Sequence, residues 1–233
     1  MGDRVVPERV VPNRVVEVRR IGTVPYPDAV RIQAELVERR RRSEISDQLL
    51  LLEHPHVITL GTGADPANVV ADENLLSALG IEVAKVGRGG DVTYHGPGQL
   101  VGYPILDLTP DRKDVHRYLR DLESVLIRTL LELDIDAVRI AGQTGVWTAD
   151  GKIAALGIRV SSGWITSHGF ALNVTTDLSY FGTIVPCGLS DTRVTSVEQI
   201  LGHPVAMDDV MDLVERAFEK IFGASRRVAV GLP

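Results

Sequence analysis

Cys187 is the single cysteine among 233 residues, and it sits in Ile184-Val185-Pro186-Cys187-Gly188-Leu189-Ser190-Asp191, away from any helical or alternating apolar pattern. A structural cysteine usually packs inside a strand or helix as a small hydrophobe. Pro-Cys-Gly is instead a turn, where the sulfur can be exposed and backbone N–H groups can face it. A free thiol with a pKa of about 8.5 is only a few per cent thiolate at neutral pH, so a nucleophilic cysteine needs a neighbouring cation or base. The second concentration of chemistry is Arg88-Gly89-Gly90-Asp91-Val92-Thr93-Tyr94-His95-Gly96-Pro97-Gly98-Gln99, twelve residues with five glycines or prolines among polar side chains of distinct types. Glycines at 89 and 90 let the backbone approach a ligand closely or take positive φ. A plain pair of turns around a short strand, Val92 to Tyr94, is the alternative; a mere turn does not need so many polar groups.

Other short motifs come close and fail. Gly61-Thr62-Gly63 has Pro66 where a dinucleotide loop wants its third glycine. Gly145 to Lys152 is one residue too long for a phosphate loop, and Ile153 stands where a Ser or Thr would hold magnesium. Gly188-Leu189-Ser190-Asp191-Thr192 lacks the second glycine of a nucleophile elbow. His54-Pro55-His56 offers two metal nitrogens with no third ligand at a telling distance, so no metal is expected.

The elements that must position these residues alternate between strand-like and helix-like without a linker-like break, which points to one domain over residues 14–223. Residues 1–13 read as a loose extension, with Arg-Val-Val-Pro recurring at 4 and 9, and residues 224–233 as a tail. Tyr26 to Arg42 reads as a helix with Pro27 near its start, Asp111 to Asp134 and Met207 to Phe222 as amphipathic helices, and Gly223 as a stop. Leu49 to Leu52, Val57 to Leu60, Val83 to Val86 and Gln99 to Leu108 read as strands. Gly145 to Thr148 and Ile153 to Val160 flank Ala149-Asp150-Gly151-Lys152, and Asp-Gly between two apolar runs signals a hairpin with a type I′ turn. Lys152 then lies just past a rigid turn. A further turn at Ser161-Ser162-Gly163 returns the chain as a third strand, Trp164 to Val174, carrying His168-Gly169-Phe170. Such a meander implies an α+β (α/β) fold with a mixed, largely antiparallel sheet flanked by helices, and disfavours a doubly wound parallel one.

Composition narrows the setting. With 44% hydrophobic residues the chain can bury a sizeable core, and its net charge of −6 disfavours a nucleic-acid-binding surface. No apolar run approaches the roughly 18 residues of a membrane span. One cysteine allows no internal disulfide, which favours a reducing compartment such as the cytoplasm. Arg39 to Arg42 form one basic run; they either complement the negative end of their helix or dock an acidic partner.

The blocks Arg88 to Pro104, Gly145-Val146-Trp147, Gly151-Lys152-Ile153-Ala154-Ala155-Leu156-Gly157, His168-Gly169-Phe170-Ala171-Leu172-Asn173 and Pro186-Cys187-Gly188 resemble, in order, those of the bacterial lipoyl (octanoyl) transferases. The similarity spans roughly Val16 to Phe222. It implies the fold shared with biotin and lipoate-protein ligases and with class II aminoacyl-tRNA synthetases, built around an acyl tunnel. It further implies transfer of an octanoyl group from acyl carrier protein to a lysine of a lipoyl domain. The acceptors it implies are the lipoyl domains of 2-oxoacid dehydrogenase complexes and the glycine cleavage H protein. By the same resemblance Cys187 carries the acyl thioester and Lys152 is its partner, with no metal and no ATP, because thioester exchange is nearly balanced and amide formation from a thioester is downhill. His95 and His168 are rival bases that spacing does not exclude. The resemblance instead places both in the acyl pocket, with Arg88, Gly89, Gly90, Asp91, Val92, Thr93, Tyr94, Ala155, Leu156, Gly157, Gly169 and Phe170. Backbone N–H groups near Cys187 and Gly188 would hold the oxyanion. Three competing readings are separable by assay: an ATP-dependent lipoate or biotin ligase, an octanoyl amidotransferase taking its acyl group from another lipoylated protein, and a binding module that holds an acyl adduct without transferring it.

Overall fold

A computed structural model describes residues 14–185 and 193–228. The 1–13 extension and the Pro186-Cys187-Gly188 turn lie outside the described residues. In chain order the elements are β1 (Arg14–Thr23), α1 (Tyr26–Arg41), β2 (Asp47–Glu53), β3 (Val57–Leu60), α2 (Glu73–Ala78), β4 (Glu82–Lys85), β5 (Val92–His95), β6 (Gln99–Ile105), α3 (Val115–Leu131), β7 (Val138–Ile140), β8 (Gln143–Thr148), β9 (Gly151–Val160), β10 (Thr166–Asn173), α4 (Val197–Leu201), α5 (Met207–Phe222) and β11 (Ala224–Val228).

Eight strands form one sheet in the order β11-β1-β2-β6-β10-β9-β8-β7, and β4-β3-β5 form a second, smaller one. β1 pairs in parallel with β11 and β2, whereas β6, β10, β9, β8 and β7 continue antiparallel from β2. The sheet is therefore mixed and largely antiparallel, as the meander implied. The unbroken run Leu49 to Leu52 follows from this layering, since helices cover both faces of β2. Leu49 and Leu51 pack with α3 and α5, while Leu50 and Leu52 pack with Leu36 of α1. Each such side chain removed from water contributes roughly 1.5–3 kcal/mol.

Three sequence expectations change in detail. The third helix starts at Val115 rather than Asp111, because the Asp114 carboxylate caps it by accepting the Arg117 N–H at 3.0 Å. β1 and β11 went unread, the first because its Arg-Val-Val start continues the repeats of the extension. β11 sets residues 224–228 of the segment read as a tail beside β1, and residues 229–233 lie outside the described residues. The hairpin forms, but its turn is not type I′: Ala149 and Asp150 both have negative φ, and Gly151 takes φ +136° instead. A Cβ on Gly151 would sit 2.5 Å from the Arg193 carbonyl oxygen, so glycine answers to a crossing chain rather than to the turn. In the basic run, Arg39 pairs with Glu35, Arg40 with Asp47 and Asp107, Arg41 with Glu38, and Arg42 with Glu38 and Glu44.

Candidate active site

A cavity of about 580 Å³ opens between the large sheet and the glycine-rich loop. Ala155 and Gly157 of β9 face it beside their register partners Ala171 and Gly169 of β10, with Leu156 and Phe170 also on its wall. Arg88, Gly89, Gly90, Asp91, Val92, Thr93, His95, Lys152 and His168 line it as well. Tyr94 does not: its hydroxyl meets His56 Nδ1 at 2.7 Å and its ring stacks on Tyr180, in the small core on the other side of β5. Strand alternation explains why His95 and Tyr94 part company.

The glycine-rich loop is laid onto β9 by the Gly89 N–H, which donates to the Ile158 carbonyl at 2.9 Å. There, a Cβ on Gly157 would stand 3.0 Å from both Arg88 Cδ and the Gly89 oxygen. Gly61-Thr62-Gly63, rejected as a nucleotide loop, straps the arch from outside: Thr62 N–H donates to Arg88 O at 2.9 Å and Gly63 N–H to Gly90 O at 3.1 Å. The Arg88 guanidinium is buried and donates to the Thr59 carbonyl and hydroxyl, both at 2.8 Å. Asp91 accepts from Asn68 Nδ2 at 2.8 Å, and Asn68 O in turn accepts the Val185 N–H at 2.7 Å.

One end of the cavity is walled by rings from separate elements: Tyr26, His95, Tyr103 and His168, backed by His54. Hydrogen bonds set their tautomers. His54 Nδ1–H donates to Val24 O at 2.7 Å, so its Nε2 accepts the Tyr103 hydroxyl, also at 2.7 Å. Gln99 Nε2 donates to Tyr94 O and to Asn173 Oδ1, which leaves its oxygen to accept His95 Nδ1–H at 2.7 Å. His168 takes φ +55°, and its N–H donates to Gln33 Oε1 at 2.7 Å. Desolvation by burial pushes His95 down to about 3 and His54 and His168 down to about 4. Burial likewise lifts the Tyr26 hydroxyl to about 12. At neutral pH these rings carry no charge, and imidazoles of such low basicity are weak proton acceptors. The two rival bases are thereby disfavoured on chemical grounds.

Lys152 stands on another part of the wall. Its ammonium lies 5.4 Å from the Trp147 ring centroid, and its backbone is held on the far side: Lys152 N–H donates to Arg193 O at 2.8 Å, and Thr195 N–H to Lys152 O at 3.0 Å. Gly145 lies against the lysine stem, since a Cβ there would be 2.6 Å from Lys152 Cε. Cys187 is outside the described residues, but the chain leaves at Val185, tied to Asn68, and returns at Arg193, tied to Lys152. His54 and His56, weighed as metal ligands, have hydrogen-bond partners of their own, and the described residues contain no cluster of three potential ligands. Sequence reasoning missed Tyr26, Gln99, Tyr103, Trp147 and Asn173; the last four stand inside the quoted motif blocks, whereas Tyr26 carries no local signal.

The family described as Lipoyl protein ligase A/B catalytic domain matches residues 25–219. An octanoyltransferase of Rubrobacter xylanophilus is 50% identical over 210 residues, covering 89% of this chain and 94% of its own. One from Solibacter usitatus is 51% identical over 205 residues, covering 88% and 92%. Among solved structures, lipoate-protein ligase A bound with ATP superposes with a TM-score of 0.73 at 19% identity, covering 93% of this chain and 90% of its own. A bi-partite lipoate protein ligase from Thermoplasma acidophilum gives 0.70 at 21% identity, covering 92% and 88%. These two likenesses speak for the fold.

Proposed function

Because the chain belongs to the lipoyl protein ligase A/B catalytic family and is an acyltransferase of its octanoyltransferase branch, we propose that it moves an octanoyl group from acyl carrier protein to a lysine of a lipoyl domain, through a thioester on Cys187. The observation that carries this reading is the pinning of the chain on both sides of residues 186–192. Its return is bonded to the backbone of Lys152, on the wall of a cavity that is also lined by uncharged rings and by small residues.

In the first half-reaction Lys152 takes the Cys187 proton, and the thiolate attacks the carrier thioester. The tetrahedral adduct collapses with loss of the carrier thiolate, which Lys152 reprotonates. In the second, the acceptor amine attacks the acyl-enzyme, Lys152 takes its proton, and Cys187 leaves as the thiolate that the ammonium of Lys152 stabilises. No phosphoanhydride is consumed, since the thioester already carries the activation. Arg88 lies buried under the loop, fastened to Thr59, and acts as a strut for the arch over the acyl chain. The acceptors of this reading are lipoyl domains generally, and the compartment is the cytoplasm.

Intact mass after mixing with octanoyl-acyl carrier protein tests it. The expected result is a gain of one octanoyl group, absent in Cys187→Ser and discharged by an apo lipoyl domain. Pyrophosphate release from octanoate and ATP, or faster transfer from an octanoylated protein than from the carrier, would replace the reading with a ligase or an amidotransferase. An adduct that no lipoyl domain discharges would make the chain a binding module.

A further inference from the structure

We propose that Glu123, in the middle of α3, is a positioning residue for Lys152 that acts through the backbone of Gly145; this rests on the cysteine–lysine reading above. Glu123 is 0% exposed, and a carboxylate persists out of water only if its lone pairs are filled. Two partners come from the solvent side: Arg120 Nη1 at 2.7 Å and Arg139 Nε at 2.9 Å, both to Oε2. Arg139 is itself held by its bond to the Arg120 carbonyl at 2.8 Å. The third partner lies inward, where Oε1 accepts the Gly145 N–H at 3.2 Å.

Gly145 needs such a hold. It belongs to β8, yet the register of β8 with β9 begins at Val146, with an irregularity before Trp147, and the register with β7 joins only Trp147 and Gln143. Its φ of +138° is one that side-chain-bearing residues rarely adopt. The end of Lys152 rests on it, for a Cβ at this position would be 2.6 Å from Cε and 3.4 Å from Nζ. The carboxylate thus takes the place of a missing ladder bond at the one residue against which the lysine stem lies. A displacement of that seat moves the ammonium relative to the reacting sulfur, and misplacement of about 1 Å can cost on the order of 10²-fold in rate.

The test compares substitutions on the two sides of the carboxylate, assayed with octanoyl-acyl carrier protein and an apo lipoyl domain, with thermal unfolding measured alongside. Glu123→Asp keeps the charge for the arginines but is one methylene too short for Gly145. The expected result is a fall in kcat of on the order of tenfold to a hundredfold with KM unchanged. Glu123→Gln keeps the length and an acceptor oxygen, and is expected to retain more kcat than Asp even where it unfolds at lower temperature. Arg139→Gln loosens only the solvent side and should keep kcat within about twofold. Wild-type kcat in Glu123→Asp, a kcat order with Asp above Gln, or an equal kcat loss in Arg139→Gln would each overturn the inference. Lys152→Ala, run in parallel, separates the two levels. If it transfers normally, the dyad reading falls and this inference with it; if it is inactive while Glu123→Asp is normal, only this inference falls.

Discussion

Two parts of the cavity wall, the lysine end around Lys152 and the ring end around His54, His95 and His168, are held by different means. At the lysine end the backbone does the holding: Gly145 and Gly151 both adopt φ near +137° (+138° and +136°), and carbonyls of Ala154 and Arg193 occupy the space that a side chain would need. At the ring end the backbone is ordinary apart from His168, and side-chain hydrogen bonds fix the tautomers of His54 and His95. The lesson is one of failure modes. On the cysteine–lysine reading, a substitution at the lysine end displaces a reacting group, whereas one at the ring end leaves a buried polar atom bare or charges a dry wall.

Lys152→Ala gives the largest expected effect, a loss of transfer on the order of 10²–10⁴-fold, read in the rate of Cys187 acylation. An unchanged acylation rate would break the comparison, since that end would then hold nothing reactive. Acid tests the ring end next. The folded imidazoles lie at about 3 for His95 and about 4 for His54 and His168. An unfolded imidazole sits at about 6.5, so the unfolded chain binds more protons in between, and the stability these rings contribute is complete above that value. It is lost as pH falls towards 4, by up to about 1.4 kcal/mol per pH unit for each ring. Urea midpoints measured across that interval should drop steeply, and a flat profile would mean that the rings are not dry.

Gly145→Ala should cost on the order of 10²-fold in kcat through displacement of the lysine, with about 1–3 kcal/mol of backbone strain, seen by kinetics and by unfolding. Tyr103→Phe at the other end strips the hydroxyl that donates to His54 Nε2. About 1–3 kcal/mol of stability should go while kcat holds, and the reverse pattern would erase the distinction between the ends. Smallest is the joint replacement of Arg39, Arg41 and Arg42 by glutamine. Their carboxylate partners are on the same chain. Exposed pairs of this kind are worth about 0–1 kcal/mol, so both stability and low-salt transfer should barely move. A marked slowing would decide for the docking reading of that helix end.

The asymmetry also governs what could be read in advance. Helices with a 3.6-residue apolar period and the Asp-Gly hairpin were legible because their signals are local, and Lys152 was placed beside a turn for the same reason. The turn type was misread, since Gly151 answers to Arg193, which is remote in sequence. Tyr26 was invisible as a lining residue because it looks like the first turn of any amphipathic helix. Tyr94 and His95 looked equivalent in the motif, and only their register against β3 decides which of them meets the cavity.

By itself the sequence determined the mixed sheet with its flanking helices, the family likeness, and the residue types able to carry a thioester and its proton, because periodicity, turn chemistry and motif order are properties of neighbouring residues. Tertiary structure decided that burial lowers the basicity of His54, His95 and His168, that the arginines of the basic helix end have carboxylate partners on their own chain, and that a buried glutamate on α3 reaches the glycine beneath Lys152. Desolvation and hydrogen-bond partners depend on what the fold brings close, and the glutamate and the glycine reach each other from separate elements of the chain.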